Sequence, residues 1–185
     1  MAYPRLRGPE PFPPEQASAS IARMAQQQSR DAWAVLVLRQ EGLWQVSELP
    51  PGVSDDLEAI VAAVRGQEGE GGPFALVDVA DEFFVVVRLV QGQVRLMLSD
   101  VTAAVAWDLA AQVCEALDLE VPDDDELDEV WPAGDLAVFD DLGLDEMELG
   151  AILSDVDAYA DEMLSSLARR LGFAEAYERV IDVLV

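Results

Sequence analysis

The sequence lacks histidine and lysine altogether, and Cys114 is the only cysteine among its 185 residues. The absence of histidine excludes Ser-His-Asp and Cys-His mechanisms, because both need an imidazole as the base. A single cysteine excludes an intrachain disulfide, and without histidine it also excludes the usual zinc sites. Cys114 directly follows Val113 in a segment with helical spacing, which indicates a buried structural thiol. We therefore expect no cofactor and no metal.

Basic charge is missing from a long part of the chain. Residues 101–168 contain 20 carboxylates and no arginine, and the whole chain has a formal net charge of −26. Such a surface repels nucleic-acid phosphates and anionic membranes, and it favours basic partners, including proteins that themselves bind nucleic acid. The alternative is that the acidity serves only solubility. In neither case do we expect direct binding to nucleic acid or to a membrane.

Long apolar runs are absent as well. The longest, near residues 32–38 and 83–90, are too short to cross a bilayer. Residues 1–14 lack the apolar core of a secretory signal. We therefore expect a cytoplasmic protein.

Composition divides the chain into three parts. Residues 1–14 contain five prolines, which predict a disordered lead-in. Residues 15–120 predict an α+β domain in the order α-β-β-α-β-β-β-α, with a five-stranded antiparallel sheet and flanking helices. Roadblock and profilin-like proteins have the same order and mostly serve as binding and dimerisation platforms, which is an analogy at the level of fold. Residues 121–185 predict an acidic loop and a C-terminal helical segment that docks on the sheet domain.

Turn and cap residues set the expected boundaries of the elements. A helix is predicted from Ser54, as its N-cap, to Gly66, and a long helix is predicted from Asp100 to Leu117. Residues 131–135 are predicted to form a turn. The predicted strands are 32–39, 43–49, 74–79, 83–90 and 94–99, and the other predicted helices are 15–30, 145–153, 160–171 and 173–184.

The acidic stretch and the tryptophan beside it form the predicted partner-binding site. Six of the seven residues from Asp123 to Glu129 carry carboxylates, and like charges at this density must stay solvated. Trp131 follows them and suits an anchor for a basic partner, although we favour the interpretation that it pins the tail to the sheet. The predicted site comprises Asp123, Asp124, Asp125, Glu126, Asp128, Glu129, Trp131, Asp135, Asp140 and Asp141.

Two alternatives rest on carboxylates alone. An EF-hand loop beginning at Asp123 would need an acid or Asn at its fifth position and Gly at its sixth, where this chain has Leu127 and Asp128. A glycosidase or a magnesium-dependent phosphotransferase needs only Asp and Glu, but usually also basic residues for an anionic substrate. The acidic stretch offers no such residue, so an enzyme that uses carboxylates alone is a remote alternative.

Four segments carry a resemblance to a known family. Residues 74–79 read FALVDV, 98–104 read LSDVTAA, 128–136 read DEVWPAGDL and 142–150 read LGLDEMELG. From residue 32 to about residue 180 the chain resembles the tRNA adenosine deaminase-associated proteins of bacteria. The resemblance implies no catalytic residues. It does not imply a deaminase either, because a zinc deaminase needs His-x-Glu and Cys-x-x-Cys, and this chain has no histidine and one cysteine.

We therefore expect a non-catalytic accessory or regulatory protein that binds a basic partner, namely a tRNA adenosine deaminase. The alternative is a homodimeric, roadblock- or profilin-like scaffold that is unrelated to tRNA. A complex with the deaminase that salt disrupts would favour the first hypothesis, and a stable homodimer that ignores the deaminase would favour the second.

Overall fold

A central sheet, covered by helices on both faces, organises the protein. The structure is a computed structural model and describes residues 32–122 and 130–184. The strands are β1 (Ala32–Gln40), β2 (Leu43–Glu48), β3 (Phe74–Val79), β4 (Phe83–Val90), β5 (Gln93–Leu98) and β6 (Ala133–Gly134). The helices are α1 (Leu57–Arg65), α2 (Asp108–Ala116), α3 (Glu146–Leu153), α4 (Ala160–Leu171) and α5 (Ala174–Leu184), with shorter 3-10 helices at Val101–Val105 and Asp140–Leu142.

The strands of the described part form one antiparallel sheet in the order β2-β1-β3-β4-β5-β6. Successive side chains of a strand point to opposite faces, so each face has its own core. On β3, Ala75 and Val77 pack with α1 and α2, whereas Phe74 and Leu76 pack with α3, α4 and α5. This double coverage explains why β3 and β4 are apolar at nearly every position.

A sixth strand corrects the prediction of five. Residues 133–134, which were predicted as part of a turn, pair with β5, where Gly134 lies opposite Met97. Gly134 has a φ of +90°, and a Cβ at this position would lie 2.2 Å from the carbonyl oxygen of Leu96. Only glycine fits so close to a neighbouring backbone. A strand of two residues shows no alternation from which a sequence pattern could predict it.

The long helix predicted to begin at Asp100 is divided in two. Asp100 caps the 3-10 helix Val101–Val105 instead, and the chain is extended at Trp107, where φ is −124° and ψ is 122°. The helix α2 begins only at the following residue. Trp107 packs edge-on against Phe83, with 5.9 Å between the ring centroids. The packing of Trp107 thus accompanies the break between the two helices. Helical periodicity in the sequence does not predict this break.

The N-cap of α1 also differs from the prediction. Asp56 caps this helix, and its carboxylate accepts a hydrogen bond from the N–H of Ala59 at 3.1 Å. Ser54 is buried instead, and its hydroxyl donates to the carbonyl oxygen of Ala32 at 3.4 Å. Ser54 thus connects the loop after β2 to the start of β1.

The C-terminal helices pack on the second face of the sheet through an aromatic cluster. The ring of Phe74 on β3 lies 5.1 Å from that of Phe139 and 5.7 Å from that of Phe173, centroid to centroid. The helix α4 has the bounds that the sequence predicts, because Gly172 ends it in a left-handed conformation. The division of the chain into domains at residue 120 stays a prediction.

Three predicted segments lie outside the described residues: the lead-in at 1–14, the helix at 15–30 and the acidic run at 123–129. The roadblock- or profilin-like order begins with that first helix. This order is therefore not confirmed, while the α+β class with an antiparallel sheet is confirmed.

Candidate partner-binding surface

The predicted partner-binding residues divide into two groups. One group lies outside the described residues and comprises Asp123, Asp124, Asp125, Glu126, Asp128 and Glu129. The other group flanks β6 and comprises Trp131, Asp135, Asp140 and Asp141. Only for the second group can the structure show which carboxylates are available to a partner.

Asp141 is held by Arg88 of β4. Both terminal nitrogens of Arg88 donate to the Asp141 carboxylate, at 2.7 and 2.8 Å, and they also donate to the carbonyl oxygens of Val138 and Gly71. Arg88 has no exposed area, whereas 51% of the Asp141 side chain is exposed. The hydrogen bonds from Arg88 hold the pKa of Asp141 below its ordinary value. Asp141 therefore anchors its segment to the sheet and is not a free carboxylate.

The other described members of the predicted site differ among themselves. Asp135 pairs with Arg95 of β5 at 3.2 Å, and Asp140 is exposed. The carbonyl oxygen of Trp131 accepts a hydrogen bond from the N–H of Val101 at 2.9 Å, and the residue is 36% exposed. Trp131 is thus tied to the sheet domain through its backbone and still reaches the surface.

A groove of about 580 Å³ gathers carboxylates that sequence reasoning did not bring together. We call it the acidic groove. Five of its lining residues carry carboxylates, and none of the described residues that line it is basic. Val130, the first described residue after the acidic run, also lines it. The lining residues are Ala80, Asp81, Glu82, Ser99, Asp100, Val130, Leu153, Val156, Ala158, Tyr159, Ala160, Asp161, Glu162 and Met163.

The turn between β3 and β4 positions the central carboxylates of the groove. The N–H of Ala160, at the start of α4, donates to the carbonyl oxygen of Asp81 at 3.2 Å. Burial and the nearby charge of Asp161 raise the pKa of Asp81. Ala80 and Asp81 have φ values of 55° and 59°, a left-handed conformation that costs a non-glycine residue about 1 kcal/mol or more. Backbone strain and uncompensated like charges at one turn are features of binding sites.

A second cavity, of about 630 Å³, shares Ala80 and Asp81 with the acidic groove. We call it the strand-end cavity, because it lies where β1 begins and where β2 and β3 end. Three of its lining residues carry carboxylates, and none of the described lining residues is basic. The lining residues are Ala32, Trp33, Ala34, Glu48, Leu49, Pro50, Pro51, Gly52, Ser54, Asp78, Ala80, Asp81 and Leu184.

Asp78 is the buried carboxylate of this cavity. It lies on β3 opposite Trp33 of β1 and has no exposed area. Its Oδ1 accepts a hydrogen bond from the N–H of Asp81 at 3.1 Å, while its Oδ2 has no partner among the described residues. Burial raises the pKa of Asp78 to about 7; the Asp81 N–H opposes this rise, and the charges of Asp81 and Asp161 add to it.

The comparisons with known proteins identify the family. A family model described as Rv3753c-like tRNA adenosine deaminase-associated protein matches residues 32–174. The chain belongs to this family. It is 44% identical over 155 residues to Protein Rv3753c of Mycobacterium tuberculosis (strain ATCC 25618 / H37Rv), and the match covers 83% of this chain and 90% of that protein. No solved structure matches the chain.

The family assignment confirms the resemblance that the four sequence segments carry. The description names a protein associated with a tRNA adenosine deaminase and not a deaminase. Cys114 is buried, as predicted, and burial raises the pKa of its thiol.

Two further features of the described residues concern membranes and metals. Within residues 32–122 and 130–184, no helix is long and apolar enough to span a bilayer. In the same residues, no group of three or more cysteine, aspartate or glutamate side chains is arranged to hold a metal ion.

Sequence reasoning missed Asp78 and Arg88, although a signal was present. Each is the only charged residue in a strand that is otherwise apolar, FALVDV for Asp78 and FFVVVRLV for Arg88. A buried charge needs a partner or a function. Arg88 has Asp141 as its partner, whereas Asp78 has an oxygen without one.

Proposed function

We propose that this protein is a non-catalytic accessory protein that binds a basic surface of a tRNA adenosine deaminase. The acidic groove is the observation that carries the proposal. Its five carboxylates lie together with no basic lining residue in the described part of the chain, and exposed apolar side chains lie beside them. Among these, Val156 is 96% exposed and Tyr159 is 68% exposed.

The chemistry of a tRNA-binding enzyme supports this partner. Such an enzyme needs arginine and lysine to hold phosphates, and these side chains attract carboxylates equally well. Complementary charge speeds association and fixes orientation, and apolar side chains add affinity once water is displaced. The groove offers both, because Asp161 and Glu162 lie two and three residues after Tyr159, at the start of α4. Occupying the basic surface would regulate the access of tRNA to the enzyme.

The non-catalytic part of the proposal rests on the composition and on the position of Asp78. A carboxyl group with a pKa of about 7 is a candidate general acid or base. None of the described residues that line the cavity of Asp78, however, is basic and could hold an anionic substrate. The other means of acid–base catalysis near neutral pH, histidine, is absent from the chain.

Co-elution of the purified chain with the deaminase encoded in the same genome tests the proposal. We expect a stable complex by size-exclusion chromatography with light scattering at about 50 mM salt, and its partial dissociation at about 200 mM. The double variant Asp161→Asn, Glu162→Gln should weaken the complex. The matched control, Glu115→Gln with Asp118→Asn, removes the same charge from the exposed surface near α2 and should leave the complex intact.

Separate elution of the two proteins at low salt would contradict the proposal. The same measurement tests the scaffold alternative, because light scattering of the isolated chain gives its mass. A homodimer that remains unchanged when the deaminase is added would favour that alternative.

A further inference from the structure

We propose that the strand-end cavity binds the guanidinium group of an arginine side chain that the basic partner inserts. This inference rests on the proposed function and specifies one contact of that complex. The acidic groove would attract the basic surface, and the cavity would accept one side chain from it.

The size and position of the cavity suit such a contact. Its volume of about 630 Å³ lies within the range of about 300–1,000 Å³ that is usual for ligand sites. Its walls come from the start of β1, the loop after β2, the turn after β3 and the end of α5. The cavity adjoins the acidic groove, because Ala80 and Asp81 line both. A partner that covers the groove therefore brings its own side chains to the cavity.

The carboxylates of the cavity call for a cation with several donors. Asp78 is completely buried, and its Oδ2 has no hydrogen-bond partner among the described residues. A buried carboxylate oxygen without a donor is unfavourable by about 1–3 kcal/mol or more. A guanidinium can donate to two acceptors at once and is hydrated more weakly than an ammonium group, so it is the cation best suited to a buried carboxylate.

The remaining walls complete the site. Glu48 and Asp81 are exposed and lie at the surface of the cavity, where they would guide the cation inwards. Trp33 also lines the cavity, and a guanidinium stacks favourably on an indole face. Leu184, at the end of α5, lines the cavity as well.

The protonation of Asp78 gives the contact a pH dependence. The charged groups that act on Asp78 are Asp81 of its own turn and Asp161 of α4, and the hydroxyl of Tyr177 on α5 also interacts with it. Both carboxylates disfavour the ionised form of Asp78, and a bound cation favours it. Binding therefore releases a proton from Asp78, and the affinity rises as the pH passes through about 7.

The test uses the full chain and N-acetyl-arginine amide as the probe, with N-acetyl-lysine amide for comparison. We expect saturable binding of the arginine probe by calorimetry, and weaker binding of the lysine probe. Asp78→Asn should weaken binding of the arginine probe about tenfold or more, because it removes a charge-assisted hydrogen bond. Asp118→Asn removes an exposed carboxylate that lies outside the cavity and outside the predicted partner-binding site, and it should leave binding unchanged. Wild-type affinity should rise between about pH 6 and 8, and the variant should lack this rise.

Several outcomes would overturn the inference: no saturable binding, equal weakening in both variants, or equal affinity for both probes. The deaminase separates this inference from the proposed function. If Asp78→Asn binds the enzyme as tightly as the wild type does, the cavity assignment is wrong and the accessory function stands. If the wild type does not bind the enzyme at all, the proposed function fails, and saturable binding of the arginine probe would still support the cavity.

Discussion

Arg88 and Asp78 are two charged side chains buried in the sheet, and they differ in their hydrogen-bond partners. The guanidinium of Arg88 donates to a carboxylate and to two backbone carbonyls, so its charge is compensated, although its Nε has no partner among the described residues. The carboxyl group of Asp78 accepts one hydrogen bond and has one oxygen without a partner among the described residues. The first arrangement stabilises the fold, while the second destabilises it when ionised, which is a feature of sites kept for binding.

Removing the partner of Arg88 should destabilise the protein strongly. Asp141→Asn leaves a buried guanidinium without a countercharge, and we expect the free energy of unfolding to fall by about 3 kcal/mol. This is the lower end of the usual range, because half of the Asp141 side chain is solvated. Urea denaturation followed by circular dichroism measures the change.

The neighbouring carboxylate provides the control for this variant. Asp140 is exposed, so Asp140→Asn should change the free energy of unfolding by no more than about 0.5 kcal/mol. Equal stabilities of the two variants would show that the pair between Arg88 and Asp141 does not stabilise the fold.

Asp78 should make the stability fall as the pH rises. Its pKa is about 7 in the folded chain and has an ordinary value of 3.8, so the folded state holds this proton more tightly than the unfolded state does. Stability is therefore lost progressively between about pH 4 and 7, where the unfolded state has released this proton and the folded state still holds it. Asp78→Asn cannot ionise, and we expect its Tm relative to that of the wild type to be higher at pH 8 than at pH 5.

The quantity to compare is the difference in Tm between variant and wild type at the two pH values, because any effect of the amide on packing shifts the Tm equally at every pH. Asp141 acts in the opposite direction, since its lowered pKa gives stability that is lost only as the pH falls below its ordinary titration range. A difference in Tm between Asp78→Asn and the wild type that is the same at pH 5 and 8 would contradict the raised pKa.

At the scale of secondary-structure elements, the sequence predicts the strands and helices whose apolar pattern extends over several residues. The strands Phe74–Val79 and Phe83–Val90 and the helix Ala160–Leu171 have their predicted bounds, because apolar periodicity and a final glycine define them. Two elements could not be predicted in this way. The strand Ala133–Gly134 has only two residues, and the break at Trp107 interrupts an apolar pattern that fits one helix.

The candidate site was predictable only in part, for a related reason. The acidic character of the surface is visible in the sequence, but pairs that are distant along the chain decide which carboxylates remain available. Asp135 and Asp141 are paired with Arg95 and Arg88, which precede them by about 40 to 53 residues. Asp81 and Asp161 come together only because α4 begins beside the turn after β3.

The strand β6 gives a test at this scale. Gly134 and Gly143 have nearly the same φ, +90° and +91°, but only Gly134 lies against a neighbouring backbone, whereas nothing lies within 4 Å of a Cβ at Gly143. Gly143→Ala should therefore cost only the left-handed conformation, about 1 kcal/mol. Gly134→Ala should cost about 2 kcal/mol more, because β6 must move away from β5. Thermal or urea unfolding of both variants measures this difference, and equal losses would show that β6 does not pair closely with β5.

At the scale of the whole molecule, arginines form ion pairs within the fold, whereas most carboxylates have no arginine to pair with. Arg88, Arg95 and Arg170 pair with Asp141, Asp135 and Glu148 and so connect parts of the fold. With 37 acidic residues against 11 basic ones, most carboxylates cannot be neutralised within the chain. Such a net charge destabilises the compact state through self-repulsion, and a basic partner would relieve that repulsion.

The salt dependence of the proposed complex with a tRNA adenosine deaminase tests the proposed role of the acidic surface most directly. The association constant should be measured by calorimetry at several salt concentrations between about 50 and 200 mM. We predict that it falls by about tenfold or more over this range, and that Asp161→Asn with Glu162→Gln makes the fall shallower. An association constant that does not change with salt, or the absence of any complex at the lowest concentration, would contradict the account.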